Sequence, residues 1–146
     1  MKKTIAVLAT AAVLAVTCSA GYAQDKKQAA KKGPTFVSSD KASFKEVVPG
    51  ISKADLWGDA TKGAYGAFTK FAPGADAGMH MHTNDVWIVG IKGAYIYKDE
   101  AGEKRVGPGD FIRIPGKHKH WSGGDKKEGA LFYEESSGKF DLVPAK

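Results

Sequence analysis

Residues 74–93 read Gly74-Ala-Asp-Ala-Gly-Met-His80-Met-His82-Thr-Asn-Asp85-Val86-Trp-Ile-Val-Gly-Ile-Lys-Gly93, and this stretch decides the fold. His80 and His82 are two apart, so on a β-strand they share one face. A run of apolar and β-branched residues, Val86-Trp87-Ile88-Val89, follows after Thr83-Asn84-Asp85 and reads as a second strand with both faces apolar, as in the middle of a sheet packed on both sides or lining an apolar pocket. Neutral imidazoles are good ligands for transition metals, and a third histidine, His120, would complete an open site if a neighbouring strand delivers it. The remaining histidine is His118, so all four histidines lie in two short segments.

Outward from this stretch the rhythm stays β-like. Short runs rich in aromatic and β-branched residues alternate with turn chemistry at Pro73-Gly74, Lys92-Gly93, Asp99 to Gly102, Gly107 to Asp110, Pro115-Gly116 and Ser122 to Asp125. The predicted strands are Thr35–Ser38, Phe44–Val48, Ala64–Phe71, Gly78–His82, Val86–Ile91, Ala94–Lys98, Lys104–Arg105, Phe111–Ile114, His118–Trp121, Ala130–Glu134 and Phe140–Val143. Ile51–Trp57 is expected to form one helical turn at most. In Phe111-Ile112-Arg113-Ile114 the parity puts Ile112 and Ile114 on one face and Phe111 with Arg113 on the other. The fold class is all-β, a sandwich or barrel in one domain.

The N-terminus has the parts of a secretory signal peptide: Lys2-Lys3, an apolar stretch from Thr4 to Ala20, and small residues at Gly21 and Ala23. Cleavage is expected after Ala23, giving a signal peptide at 1–23 and a periplasmic or secreted protein with no stable membrane insertion after cleavage. A lipoprotein signal at Cys18 is the weaker alternative, because Ala15-Val16-Thr17 is a poor lead-in. Residues 24–34, rich in Lys, Gln and Ala, read as a flexible tether, and 35–146 as the β domain. The chain's one cysteine, Cys18, lies in the leader, so the exported chain has no disulfide and its stability must come from its core and any bound metal. A formal charge of +6, reduced by loss of Lys2 and Lys3, is mild for a nucleic-acid binder, and export argues against that class.

The same residues resemble the cupin superfamily of small jelly-roll barrels. Its first motif runs Gly, five residues, His-x-His, three or four residues, Glu, six residues, Gly, and Gly74, His80, His82 and Gly93 fit that frame. Its second motif, Gly, five residues, Pro-x-Gly, two residues, His, three residues, Asn, fits Gly109, Pro115 and His120. Val86 stands at the glutamate position, Lys117 at the second glycine and Gly124 at the asparagine. A closer likeness is to a cupin family of undefined biochemical role, through His80-Met81-His82-Thr83-Asn84-Asp85, the turn from Pro115 through His120-Trp121-Ser122-Gly123, and Gly138-Lys139-Phe140-Asp141.

The resemblance implies a cupin-type double-stranded β-helix over about residues 44–143, with His80, His82 and His120 as metal ligands lacking the usual carboxylate. The alternative for these histidines is a polar pocket that has lost its metal. All-nitrogen ligation suits zinc, iron, copper or nickel better than magnesium or calcium, and the expected cofactor is a divalent transition metal, zinc, iron, copper, nickel or manganese. Asp85 has three readings: a substitute fourth ligand, an acceptor that orients a histidine N–H, or an exposed turn aspartate on the opposite face. His118 is expected to face solvent, and Glu134 either to enter the barrel or to be solvated. Trp87, Trp121, Tyr95, Tyr97 and Phe111 either wall a ligand pocket or belong to the core, and Arg113, Lys117, Lys119, Lys126 and Lys127 form a basic rim.

Two functions of different class stay open on these residues. One is a metal-dependent oxygenase, isomerase or lyase acting on a small organic molecule, the other a non-catalytic periplasmic module that binds or senses a small ligand or metal. A homodimer is implied by the resemblance alone.

Overall fold

The alternation of β-forming runs and turn residues produces eleven strands among the described residues. The structure is a computed structural model describing residues 33–145. The leader at 1–23, its cleavage point, and all but the last two residues of the tether lie outside the described residues.

In chain order the strands are β1 (Lys45–Val48), β2 (Ile51–Gly58), β3 (Tyr65–Phe71), β4 (Asp76–Met81), β5 (Val86–Gly93), β6 (Tyr95–Asp99), β7 (Gly102–Val106), β8 (Phe111–Ile114), β9 (His120–Gly124), β10 (Ala130–Ser136) and β11 (Val143–Pro144). They form a six-stranded sheet in the order β1-β2-β3-β10-β5-β8 and a five-stranded sheet in the order β11-β4-β9-β6-β7. Every pairing between named strands is antiparallel. This is the expected all-β, jelly-roll arrangement, two antiparallel sheets that share one core.

The core draws on both sheets. Ile51, Phe71, Val86, Ile88, Ile114 and Phe132 come from the six-stranded sheet, and Tyr95, Tyr97 and Val106 from the five-stranded one. Tyr95 packs edge-on against Phe71 and Phe132, with ring centroids 5.8 and 5.1 Å apart, a favoured aromatic geometry. The parity read in Phe111–Ile114 holds: Ile114 is buried, Ile112 packs on the core and Phe111 is exposed. In Val86–Val89 only one face is core, with Val86 and Ile88 buried and Val89 exposed.

Four expectations need correction. Ile51–Gly58 is a full strand rather than a helical turn, disguised because a lysine, Lys53, occupies an inward position beside Ile51, and a register shift between Asp55 and Trp57 interrupts the alternation. Thr35–Ser38 is not a strand. Ser122-Gly123-Gly124 is not a turn but the continuation of β9, because Cβ atoms at Gly123 and Gly124 would meet Ala75 O at 2.8 Å and Ala72 O at 2.7 Å. Phe140–Leu142 runs outside any strand, and only Val143–Pro144 pairs, with β4.

Candidate metal centre

β4 and β9 lie side by side, and their register makes His80 and His120 Cα partners. His82 follows one residue beyond the end of β4 with the same parity as His80. The three rings converge, with centroids 4.3 Å apart for His80–His120, 5.0 Å for His80–His82 and 5.4 Å for His82–His120. One ring nitrogen from each lies within 4.8 Å of the others. His80 and His120 are fully buried, and His82 is half-buried.

Backbone carbonyls settle which nitrogen is which. His80 Nδ1 lies 2.9 Å from Gly78 O, His82 Nδ1 2.6 Å from Asp141 O, and His120 Nδ1 3.0 Å from His118 O. A carbonyl only accepts, so each neutral ring carries its proton on Nδ1 and presents a bare lone pair at Nε2. Hydrogen bonds of this kind fix the orientation of metal-ligating histidines. Burial pushes His120 down to about 4 and His80 below the usual histidine range, so both are neutral near pH 7.

His120 Nε2 tests whether a metal fits. It is buried without a hydrogen-bond partner among the described residues. A buried polar atom left unpaired costs about 1–3 kcal/mol. Three imidazoles, with one acceptor already stripped of water, suit a divalent transition metal.

A cavity of about 30 Å³ adjoins the histidines, with room for little more than a water molecule. His80, His82, Lys53, Glu134, Val86 and Phe140 are among its lining residues. Val86, at the position where the cupin motif carries glutamate, is a buried part of this wall. Glu134 reaches the same cavity and is buried rather than solvated. Its Oε1 accepts from Lys53 Nζ and the Tyr65 hydroxyl, and its Oε2 accepts from Thr69 Oγ1 at 2.9 Å. Burial alone would raise the Glu134 carboxyl, but the Lys53 ammonium and these donors hold it below the usual range. The Lys53 ammonium also lies 4.0 Å from the centroid of the Phe140 ring.

Lys53 was missed by sequence reasoning, although parity carried the signal: it shares its face with Ile51, as Glu134 does with Phe132. Asp85 stands apart from the histidines. It accepts from Arg113 Nε at 2.9 Å and from Gly116 N at 2.8 Å, tying β8 to the turn that follows it. His118 is exposed, as expected, and its Nε2 lies 3.0 Å from Asp99 Oδ2. Tyr95 and Tyr97 are core, Tyr97 stacking on His120 at 5.3 Å, while Phe111 faces solvent and Trp87 and Trp121 are half-buried. In the basic group Arg113 is spent on Asp85, and Lys117, Lys119, Lys126 and Lys127 are exposed.

Comparison with known proteins agrees with this architecture. A family model described as "Cupin domain" matches residues 67–134. Solved structures with the same fold include KdgF from Halomonas sp., at 23% identity and TM-score 0.60, covering 73% of this chain and 97% of that one. The polyketide cyclase RemF from Streptomyces resistomycificus matches at 16% identity and TM-score 0.65, covering 78% of this chain and 87% of that one. A protein of unknown function from Rhizobium leguminosarum matches at 13% identity and TM-score 0.59, covering 72% and 97% respectively. No curated protein matches the sequence. The two-sheet topology, the motif spacing around the paired histidines and the cupin-domain match over residues 67–134 together show a cupin-type fold.

Proposed function

We propose that this protein is an exported cupin that holds one divalent transition metal through His80, His82 and His120 and acts on a small organic molecule. The observation carrying this reading is the common orientation of the three rings, each with Nδ1 bonded to a carbonyl and Nε2 left bare, one of them buried without a partner. A bound metal of this class supplies Lewis acidity and open positions for an exogenous ligand. Backbone carbonyls of the chain orient the imidazoles, and Val86 and Ile88 supply an apolar part of the cavity wall. Export rests on the leader at 1–23, and its test is whether the protein is recovered from the periplasm or medium without residues 1–23. Pairing into a homodimer is part of the proposal, and a single monomer peak on gel filtration contradicts it.

A second reading, a non-catalytic binder of a small ligand or metal, is favoured by one feature. The only acid in the cavity wall, Glu134, is already engaged by Lys53, Tyr65 and Thr69, which leaves no uncommitted carboxylate there among the described residues. Incubating metal-loaded protein with small organic acids, with and without oxygen, separates the two. Turnover that disappears in His80→Ala/His82→Ala supports the enzyme, saturable binding without turnover supports the binder, and neither contradicts both.

A further inference from the structure

Two of the three histidines are aimed locally. His80 and His120 each bond the carbonyl two residues before their own position. His82 differs, because its acceptor, Asp141 O, comes from a segment 59 residues away. That segment leaves β10 and runs back past the histidines to β4, and it contains the Gly138-Lys139-Phe140-Asp141 signature, none of whose side chains is among the three proposed ligands.

The attachments of this segment are few and specific. Phe140 N donates to Ala60 O at 2.8 Å, Ala145 N donates to Met79 O at 3.0 Å, and only Val143 and Pro144 pair with β4. Between them the Asp141 carboxylate accepts from Thr83 N at 2.9 Å and from Thr83 Oγ1. Thr83 belongs to the His80–Asp85 signature, so one side-chain contact joins the two halves of the sequence pattern. Gly138 lies against Asn84 so closely that a Cβ there would sit 2.3 Å from its Nδ2. The Phe140 ring is 6.1 Å from the His82 ring and meets the Tyr65 ring edge-on at 6.4 Å. Phe140 and Leu142 both line the cavity.

We propose that Asp141 and Thr83 form a latch that positions His82 and holds Phe140 as a plug over the cavity, and that its release admits metal and small molecule. The part concerning metal rests on the site proposed above. The cavity of about 30 Å³ has room for little more than a water molecule, and the segment carrying Phe140 and Leu142 is the least sheet-bound part of its wall, the part whose displacement would enlarge it. Asp141 is a positioning residue, since it acts on the site only through His82.

The test uses the full chain, zinc alone as probe, and the variants Asp141→Ala, Thr83→Val and Phe140→Ala. Zinc loss to a chelator is followed in each, together with the His82 tautomer by nitrogen NMR in zinc-free protein and the melting temperature. The expected result is loss about 10- to 100-fold faster in Asp141→Ala and Thr83→Val, which keep the Asp141 carbonyl but release its anchor, on the scale by which losing an orienting partner weakens metal affinity. In both variants His82 loses its uniform Nδ1–H form. Phe140→Ala is expected to speed zinc exchange while His82 keeps that form. A lowered melting temperature with unchanged zinc loss and an unchanged His82 tautomer overturns the latch. If wild-type protein takes up no zinc, the metal site fails, and the tautomer alone decides the latch: retention of Nδ1–H in Asp141→Ala overturns it and loss supports it.

Discussion

His80 on β4 and His120 on β9 are directly opposed across an antiparallel pair, their ring centroids 4.3 Å apart. Register therefore delivers the two deepest site residues together, and each then turns its Nδ1 to its own backbone. The bare His120 Nε2 is a liability unless something binds it. In metal-stripped protein, His120→Leu is expected to melt as high as wild type or higher. Zinc is expected to raise the wild-type melting point by several degrees, since a ligand at a thousandfold excess over Kd adds about 4 kcal/mol, and to leave the variant unmoved. Thermal melts with and without zinc check both; a lower melting point for stripped His120→Leu contradicts the orphan-atom argument.

Lys53 and Glu134 are a buried ion pair with both side chains almost wholly covered. Removing one partner strands a charge, so Lys53→Met alone is expected to cost about 3–5 kcal/mol, whereas Lys53→Met/Glu134→Leu recovers most of that loss. Urea denaturation of the two variants at neutral pH measures the difference. Equal losses would show that the ion pair is not the source of the effect.

Lys117 adopts φ of 65°, a left-handed conformation that favours glycine, at the position where the cupin motif carries one. Its amide donates to His82 O at 2.7 Å, so the turn also braces the site. Lys117→Gly keeps that amide and relieves the backbone, with an expected gain of about 0.5–1 kcal/mol. A higher urea midpoint at constant slope checks it, and a lower midpoint contradicts it.

Asp125 closes the β9–β10 turn. The backbone N–H groups of Glu128 and Lys127, with the Arg105 guanidinium, lower its carboxyl to about 2. Because the folded value lies below the unfolded one, its stabilising contribution is present above roughly pH 4 and is lost as pH falls through about 2. Asp125→Asn is expected to flatten that part of the acid limb of a stability-against-pH curve. An unchanged limb contradicts the assignment.

The histidine site was legible because period-two parity needs only local spacing, and the jelly roll was legible because its turns carry glycine and proline at regular intervals. What was hidden is hidden for physical reasons. β2 breaks the usual polarity rule, since Lys53 is inward and becomes tolerable only beside Glu134, 81 residues away. β9 passes through two glycines that look like a turn but are dictated by close approach of the chain at Ala72 and Ala75. The Asp141–Thr83 contact joins two signatures readable separately, yet nothing in their spacing says that they touch.

The central claim is that three histidines without the usual carboxylate still hold a metal. It is tested most directly by elemental analysis of the protein purified without a histidine tag, beside His80→Ala/His82→Ala prepared in the same way. The account predicts one equivalent of a divalent transition metal per chain in the wild type and almost none in the variant. A wild type free of metal after exposure to zinc, iron, copper, nickel and manganese, or a variant that retains a full equivalent, contradicts it.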